Sequence, residues 1–360
     1  MTGLERCVAD RVGVFGGYRA TRACGTSRSS TGWYCSEALL MLALGVFVAF
    51  GTVGCASKQS RLEPTRIIDD AHSGGNALAI SPDGRIGASG GWGGRIRLWQ
   101  LPGGAPVAAW MTSHGDLSGL MFLPEGNRLL STGHDGFVRI WDGSGRLLTS
   151  FAVGSAVTSF HPGGGSRSVI LGHADGQVSH WSVEGERLGY WALSNRRITA
   201  VATDRSGALF AAGDYAGRVW RWPDGHPPER LQSPSSHARS LVFDPIDGKL
   251  LGSGWFDLFS WSADGVELQV IPTAHRGIVN HLAFIGDGPY VASISRQTDS
   301  AVLLLDPDTG ETLVGFRKHE LCGQRLALSP DGRFMITNSD DASVRFYTLP
   351  DMPSRDSNTP

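Results

Sequence analysis

The 360-residue chain has no basic stripe and no block of five or more like charges; its 32 basic and 34 acidic residues are interspersed and give a formal charge of −2. That pattern makes nucleic acid a poor expectation for a partner. The sequence holds no GxxxxGK[ST], no GxGxxG and no HExxH, so the phosphate-cradling loops and the zinc-protease helix are missing. It has no CxxC or CxxCH, which argues against structural zinc and c-type haem, and no cofactor is expected. Of five cysteines only Cys322 lies beyond residue 55. If the segment before Cys55 is removed and Cys55 is itself modified, no internal disulfide is possible and stability must come from packing. The longest apolar run, Ala38 to Val53, is shorter than the ~20 residues of a membrane-spanning helix.

What the chain does have is glycine and proline, 49 and 18 of them, spread between short runs rich in Val, Ile, Leu, Phe and Trp. Turn residues at that density between β-formers predict an all-β protein. The N-terminus stands apart. Arginines 6, 11, 19, 22 and 28 precede "ALLMLALGVFVAFGTV", which ends in Gly54-Cys55. A basic region followed by an apolar run has the layout of an export signal. Small residues before the cysteine resemble the lipobox of bacterial lipoproteins, which implies cleavage at 54/55 and lipidation of Cys55. Thr52 departs from that pattern, which usually has an aliphatic residue there, and an uncleaved anchor or plain secretion are the alternatives. The expected organisation is a leader over 1–54, a tether over 55–61, one domain over 62–350 and a disordered tail over 351–360.

The domain repeats. Trp99, Trp141, Trp181, Trp222 and Trp261 are followed at corresponding places by Leu305 and Tyr347, in steps of 39 to 44 residues. A period near forty marks a repeated supersecondary unit. The runs "GGRIRLW", "GFVRIW", "GQVSHW" and "GRVWRW" place an apolar residue on each pleat face, so each strand can be buried on both sides. Upstream, "AISPDGRIGASG" and "ALSPDGRFMITN" read as strand pairs joined by Pro-Asp-Gly turns. "DPDTGE" at Asp306 to Glu311 reads as another turn, since it lacks the rest of a calcium loop.

These motifs, with "HDGFVRIWD" at His134 to Asp142 and histidines at 72, 114, 237, 275 and 319 opening repeats, resemble the WD-repeat family of β-propellers. The resemblance implies a seven-bladed WD-repeat β-propeller of four-stranded blades. The last repeat has no room for its outer strand, while "PTRIIDDAH" resembles the segments that supply one elsewhere, so residues 64 to 69 are expected to close the ring. The family also implies a buried hydrogen-bonded network of His114, Ser131, Asp135 and Trp141. Partial versions are expected at His275, Ser295 and Asp299 and at His319, Thr337 and Asp341. In the third, fourth and fifth repeats, Leu171, Ala212 and Leu251 occupy the hydroxyl position. A Ser-His-Asp catalytic reading of the same residues lacks any oxyanion-hole or nucleophile-elbow sequence.

The resemblance places the turn before each aspartate position on the same face as the connections between blades. Trp92, His134 and Tyr215 stand there as candidate partner-binding residues, because bulky amphipathic side chains suit binding hot spots. The expected function is a non-catalytic, monomeric protein-interaction platform, held to a membrane by its lipid and facing the periplasm of a bacterial envelope. Ala56 after the cysteine favours an outer membrane. Two alternatives are an outer-membrane assembly factor that binds client strands by edge pairing, and a hydrolase or small-ligand binder using the central channel. The inner strands offer no acidic pair for glycosidase chemistry.

Overall fold

A computed structural model describes residues 61–234 and 236–352. The segments expected to be a leader and a lipid attachment point at Cys55, and the expected tail from residue 353 on, lie outside these residues. Each Trp-marked run is the third strand of a four-stranded antiparallel sheet, and seven such sheets follow one another along the chain as the blades of a β-propeller. In the second blade the strands are Leu117–Phe122, Arg128–Gly133, Phe137–Asp142 and Leu147–Ala152, from the centre outward. Burial falls in that order, because the first three strands are covered on both faces by neighbouring blades and the fourth is rimmed by solvent.

The seventh blade is completed by the other end of the chain. Arg66–Ile68 pairs antiparallel with Val344–Thr348, with Arg66 opposite Phe346 and Ile68 opposite Val344. Thr65 N–H donates to Phe346 O at 2.8 Å and Ala71 N–H to Ala342 O at 2.8 Å. The preceding residue pair reaches one blade further. Leu62 bridges to Phe316, exchanging main-chain hydrogen bonds with Gly315 and Arg317 at 2.8 and 3.0 Å. The closing segment therefore fastens both the sixth and the seventh blades.

Cores form between blades. Ala77, Ala88, Ile96 and Leu98 of the first blade pack with Leu120, Phe122, Leu129 and Trp141 of the second. The outer strand of one blade carries an aromatic ring onto the marker of the next. Trp110 lies 6.1 Å from Trp141, Phe151 5.6 Å from Trp181, and Trp191 5.0 Å from Trp222. Phe316, just past the sixth outer strand, meets Tyr347 edge-on at 5.0 Å. Such pairs add ~0.5–1.5 kcal/mol each to the area they bury. The tryptophan period is thus a period of inter-blade contacts.

A second belt runs around the channel. In six blades the innermost strand has an irregularity near its start, between Gly75 and Ala77, Leu117 and Gly119, Val157 and Ser159, Ile198 and Ala200, Val279 and His281, and Gly323 and Arg325. The skipped residues are all polar, and several reach the next blade. Thr158 donates to Ile198 O at 2.7 Å, Thr199 to Ala238 O at 2.6 Å and Asn280 to Gln324 O at 2.9 Å. A bulge re-aims a side chain out of the pleat alternation, which in the third, fourth and sixth blades turns a polar group sideways into the neighbouring blade.

Candidate functional site

In an up-and-down blade, the hairpins between second and third strands share one face with the connections between blades. Main-chain bonds join the two sets: Trp92 N–H to Gly74 O, His134 N–H to Asp116 O and Tyr215 N–H to Arg197 O, at 3.0–3.1 Å. Beneath this face lie the buried networks.

In the second blade, His114 Nε2 is 2.8 Å from Ser131 Oγ, which also accepts the Trp141 indole N–H at 2.8 Å. His114 Nδ1 is 2.8 Å from Asp135 Oδ1, and Arg139 donates to Asp135 Oδ2 at 2.6 Å. With the carboxylate ionised, Nδ1–H donates to it, and Nε2 accepts the Ser131 hydroxyl proton. Burial lowers the His114 pKa against the pull of Asp135. Burial opposes ionisation of Asp135, yet the hydrogen bonds from His114 and Arg139 hold its carboxyl below the ordinary value. Ser131 is 0% exposed, so this Ser-His-Asp order is closed to substrate.

The other blades vary the theme. In the first, His72 Nε2 lies 2.7 Å from Ser89 Oγ, which accepts from Trp99 Nε1 at 2.6 Å. Gly93 stands where the second blade has Asp135, and His72 Nδ1 has no partner. Burial and the charges of Arg97 and Arg95 lower the His72 pKa to about 3. In the seventh, His319 Nε2 is 2.9 Å from Thr337 Oγ1 and its Nδ1 3.2 Å from Asp341.

Two expectations change. In the sixth blade the hydroxyl at His275 Nε2 is Ser293, at 2.8 Å, not Ser295, which instead donates to Asp299. The hairpin is two residues longer than in the second blade: Ser293 pairs with Leu303 as Ser131 pairs with Arg139. Counting back from Asp299 therefore lands two residues late. The third blade lacks a hydroxyl at Leu171 but rebuilds the network from its own strands. His173 Nε2 is 2.6 Å from Ser179 Oγ, which accepts from Trp181 Nε1 at 2.9 Å. A glycine occupies the His173 place in the second blade, where a Cβ on Gly133 would come within 2.6 Å of the His114 ring. Here the ring enters from the strand rather than from the connection between blades. In the fifth blade the Trp261 indole donates to Gln232 O at 2.9 Å.

On the rim, Trp92 is half-buried and its ring covers Gly74, where an added Cβ would lie 2.5 Å from it. His134 is exposed. Tyr215 is 44% exposed, stacks on His237 at 4.9 Å, and has the Arg197 guanidinium 4.6 Å from its ring centre. His237, expected to open a repeat, thus supports the rim instead. These three candidates sit on the first, second and fourth blades. A clustered surface lies between the fourth and fifth blades, where the sequence reading passed over Trp255 and Phe256. They are 46% and 45% exposed, with rings edge-on at 6.0 Å. Trp255 N–H donates to Ser236 Oγ at 3.3 Å, beside His237, which joins this pair to Tyr215. Phe256 is held at φ 69° by its N–H to Gly277 O and by the Thr273 hydroxyl on its carbonyl. Exposed Arg276 precedes Gly277, which accepts the Phe256 N–H. The "WF" pair itself was the available signal: two large apolar residues in a hairpin turn.

Asp306 to Glu311 forms a hairpin turn, with Asp306 Oδ1 accepting the N–H groups of Asp308 and Thr309. No cluster of three or more metal-ligating side chains occurs among the described residues.

Three segments, 63–100, 105–142 and 316–348, match the model of the WD domain, G-beta repeat family. The chain is 24% identical over 313 residues to "Telomerase protein component 1" of Mus musculus, covering 68% of this chain and 12% of that protein. It is 23% identical over 284 residues to "Periodic tryptophan protein 2" of Arabidopsis thaliana, covering 72% and 32%. It is 21% identical over 313 residues to "Pre-rRNA-processing protein IPI3" of Mycosarcoma maydis, covering 76% and 53%. The chain spans from about a tenth to about half the length of these relatives. The first two family matches each run from the outer strand of one blade to the third strand of the next, the one-strand stagger that closes the ring. The chain is a seven-bladed β-propeller carrying WD40 repeats in its first, second and last blades.

Proposed function

We propose that this propeller is a non-catalytic protein-interaction platform whose partner docks on the hairpin face between the fourth and fifth blades. The observation that carries the reading is the contiguous group of Tyr215, Trp255 and Phe256. Exposing three rings on two adjacent blades opposes solubility, and a left-handed Phe costs ~1–3 kcal/mol that its surroundings must offset. Aromatic anchors with an arginine on one ring have the composition of a hot spot. The relatives bear names from different tasks, which favours a shared scaffold over a shared chemistry.

The finer reading places the platform on a bacterial membrane through a lipid on Cys55. It is supported by the apolar run ending in Gly54-Cys55. The strand Arg66–Ile68 leads into the connection on the hairpin face, so its N-terminal end is directed away from that face. A tether there leaves the docking surface turned outward. A second reading, edge pairing with client strands, is favoured by the outer strands Ala105–Met111 and Arg187–Ala192, which expose Val107, Met111, Leu188 and Tyr190 beside an unpaired edge.

The test is a crosslinked pull-down from detergent-solubilised membranes of cells expressing the full chain. It compares wild type with a Tyr215→Ala, Trp255→Ser, Phe256→Gly variant and with a Trp92→Ala, His134→Ala variant, all checked for native melting. A partner lost only in the first variant supports the site. Retention in that variant refutes it, and loss only in the second moves docking to the first and second blades. Cys55→Ser, followed by labelling with an alkyne fatty acid, tests the anchor separately.

A further inference from the structure

The channel through the ring carries a feature that the rim does not use. It encloses a cavity of about 580 Å³ lined by all seven innermost strands. The positions just past the bulges divide it into two sides. In the first four blades they hold Ala77, Gly119, Ser159 and Ala200, whereas the sixth and seventh hold His281 and Arg325. Small residues on one side leave room for large basic ones on the other.

Arg325 stands on the strand Gly323–Leu328, and its main-chain N–H donates to Asn338 Oδ1 at 3.0 Å. Its guanidinium, facing the cavity, gives no hydrogen bond to any described residue and pairs with no carboxylate. The groups near it are themselves basic. Burial, with the charge of Arg239 adding to it, lowers the Arg325 pKa to about 10. His281 is pushed well below its ordinary value by burial, by Arg325 and by His161 from across the channel. Among the described residues, Asp204 is the only carboxylate on the lining. Its Oδ1 accepts the N–H groups of Ala208 and Leu209 and its Oδ2 the Ser206 hydroxyl, so its own turn engages it.

A half-buried guanidinium confined in a channel without a counter-charge is partly desolvated, and a bidentate oxyanion is the group that best relieves it. We propose that the central channel is a binding site for a small oxyanion, a phosphate or a carboxylate, gripped by Arg325 with Arg239 and His281 beside it. The site lies within the ring, apart from the docking face, and does not depend on it. Neutral His281 can donate one ring N–H to the same anion. The described residues of the lining include no free carboxylate, which discriminates against cations.

Calorimetric titration of the full-length protein with inorganic phosphate, and separately with succinate, at ionic strength held constant with sodium chloride, tests this. One saturable site per chain is expected, with affinity at least tenfold weaker in Arg325→Met and unchanged in Arg205→Ala at the channel mouth. Tighter phosphate binding assigns a phosphoryl ligand, and tighter succinate binding a carboxylate. Absence of saturable binding for both anions, or wild-type affinity in Arg325→Met, overturns the proposal. A wild-type readout stands even if the variant does not fold. Phosphate or succinate should slow phenylglyoxal modification of Arg325, read by mass spectrometry, and leave Arg205 unaffected. Equal Arg325 labelling with and without either anion refutes the site.

Discussion

Replacing Ser131 with alanine isolates the chemistry that the tryptophan period encodes. Its Oγ is fully buried and serves two groups at 2.8 Å each, His114 Nε2 and the Trp141 indole N–H. A net hydrogen bond is worth about 1 kcal/mol, and leaving a buried polar atom unsatisfied costs ~1–3 kcal/mol. The methyl side chain offers neither donor nor acceptor, and both former partners stay buried. A loss of about 3 kcal/mol is therefore expected, or a melting decrease of about 6 °C in a chain of this size. Ser144, which donates to Asp142 at 2.6 Å in an exposed turn, is the control, and its alanine variant should stay within about 0.5 kcal/mol of wild type. Urea unfolding followed by tryptophan fluorescence reads both variants. A Ser131→Ala protein as stable as the Ser144→Ala protein would show that the network is geometrically present but energetically idle.

Acid should weaken the fold in two stages. His72, His114, His281 and His319 all have pKa values lowered by burial, so the unfolded chain binds protons that the folded one refuses. Stability then falls as pH drops below about 6.5, the ordinary histidine value. Asp135 and Asp341 have lowered carboxyl pKa values, despite burial, through hydrogen bonds from His114 and Arg139 and from His319 respectively. Their contribution is present above about pH 4 and is lost below it, so the melting temperature should be flat near pH 7–8 and steepen downward in acid. Deleting residues 62–70 removes the strand on Val344–Thr348 and the Leu62 bridge to Phe316, and should abolish the cooperative thermal transition; unchanged melting would refute closure by this segment. Gly91→Ala should cost about 3 kcal/mol by urea titration, because the new Cβ would fall 1.7 Å from the Gly74 carbonyl oxygen, main chain that cannot turn aside.

Local order carries the repeat, which is why so much of the fold could be read directly. The marker spacing, the Pro-Asp-Gly turns and the incomplete last repeat predict seven blades and the closing strand, since every blade but the last is built from contiguous residues and the last lacks its own outer strand. The second-blade network was legible for the same reason: its four residues keep the family spacing. Where a hairpin lengthened, as before Asp299, spacing pointed to Ser295 while the strand register selected Ser293. His173 and Ser179 escaped notice because they fill the same space from a different strand, which only packing reveals.

The functional surfaces divide along the same line. Trp92, His134 and Tyr215 were visible one turn at a time, but adjacency between turns is set by the ring, and the ring joins Tyr215 to Trp255 and Phe256 through the long connection after the fourth blade. Arg325 and His161 lie on opposite sides of one channel and far apart in sequence, so their convergence on His281 belongs wholly to the tertiary structure. The sequence by itself determined the repeating unit and its number, because each repeat carries the same local pattern within about forty residues, and it marked the closure by leaving the last repeat one strand short. The closed ring decided which side chains share a face or a cavity, because a propeller brings distant blades together only when its last strand meets its first.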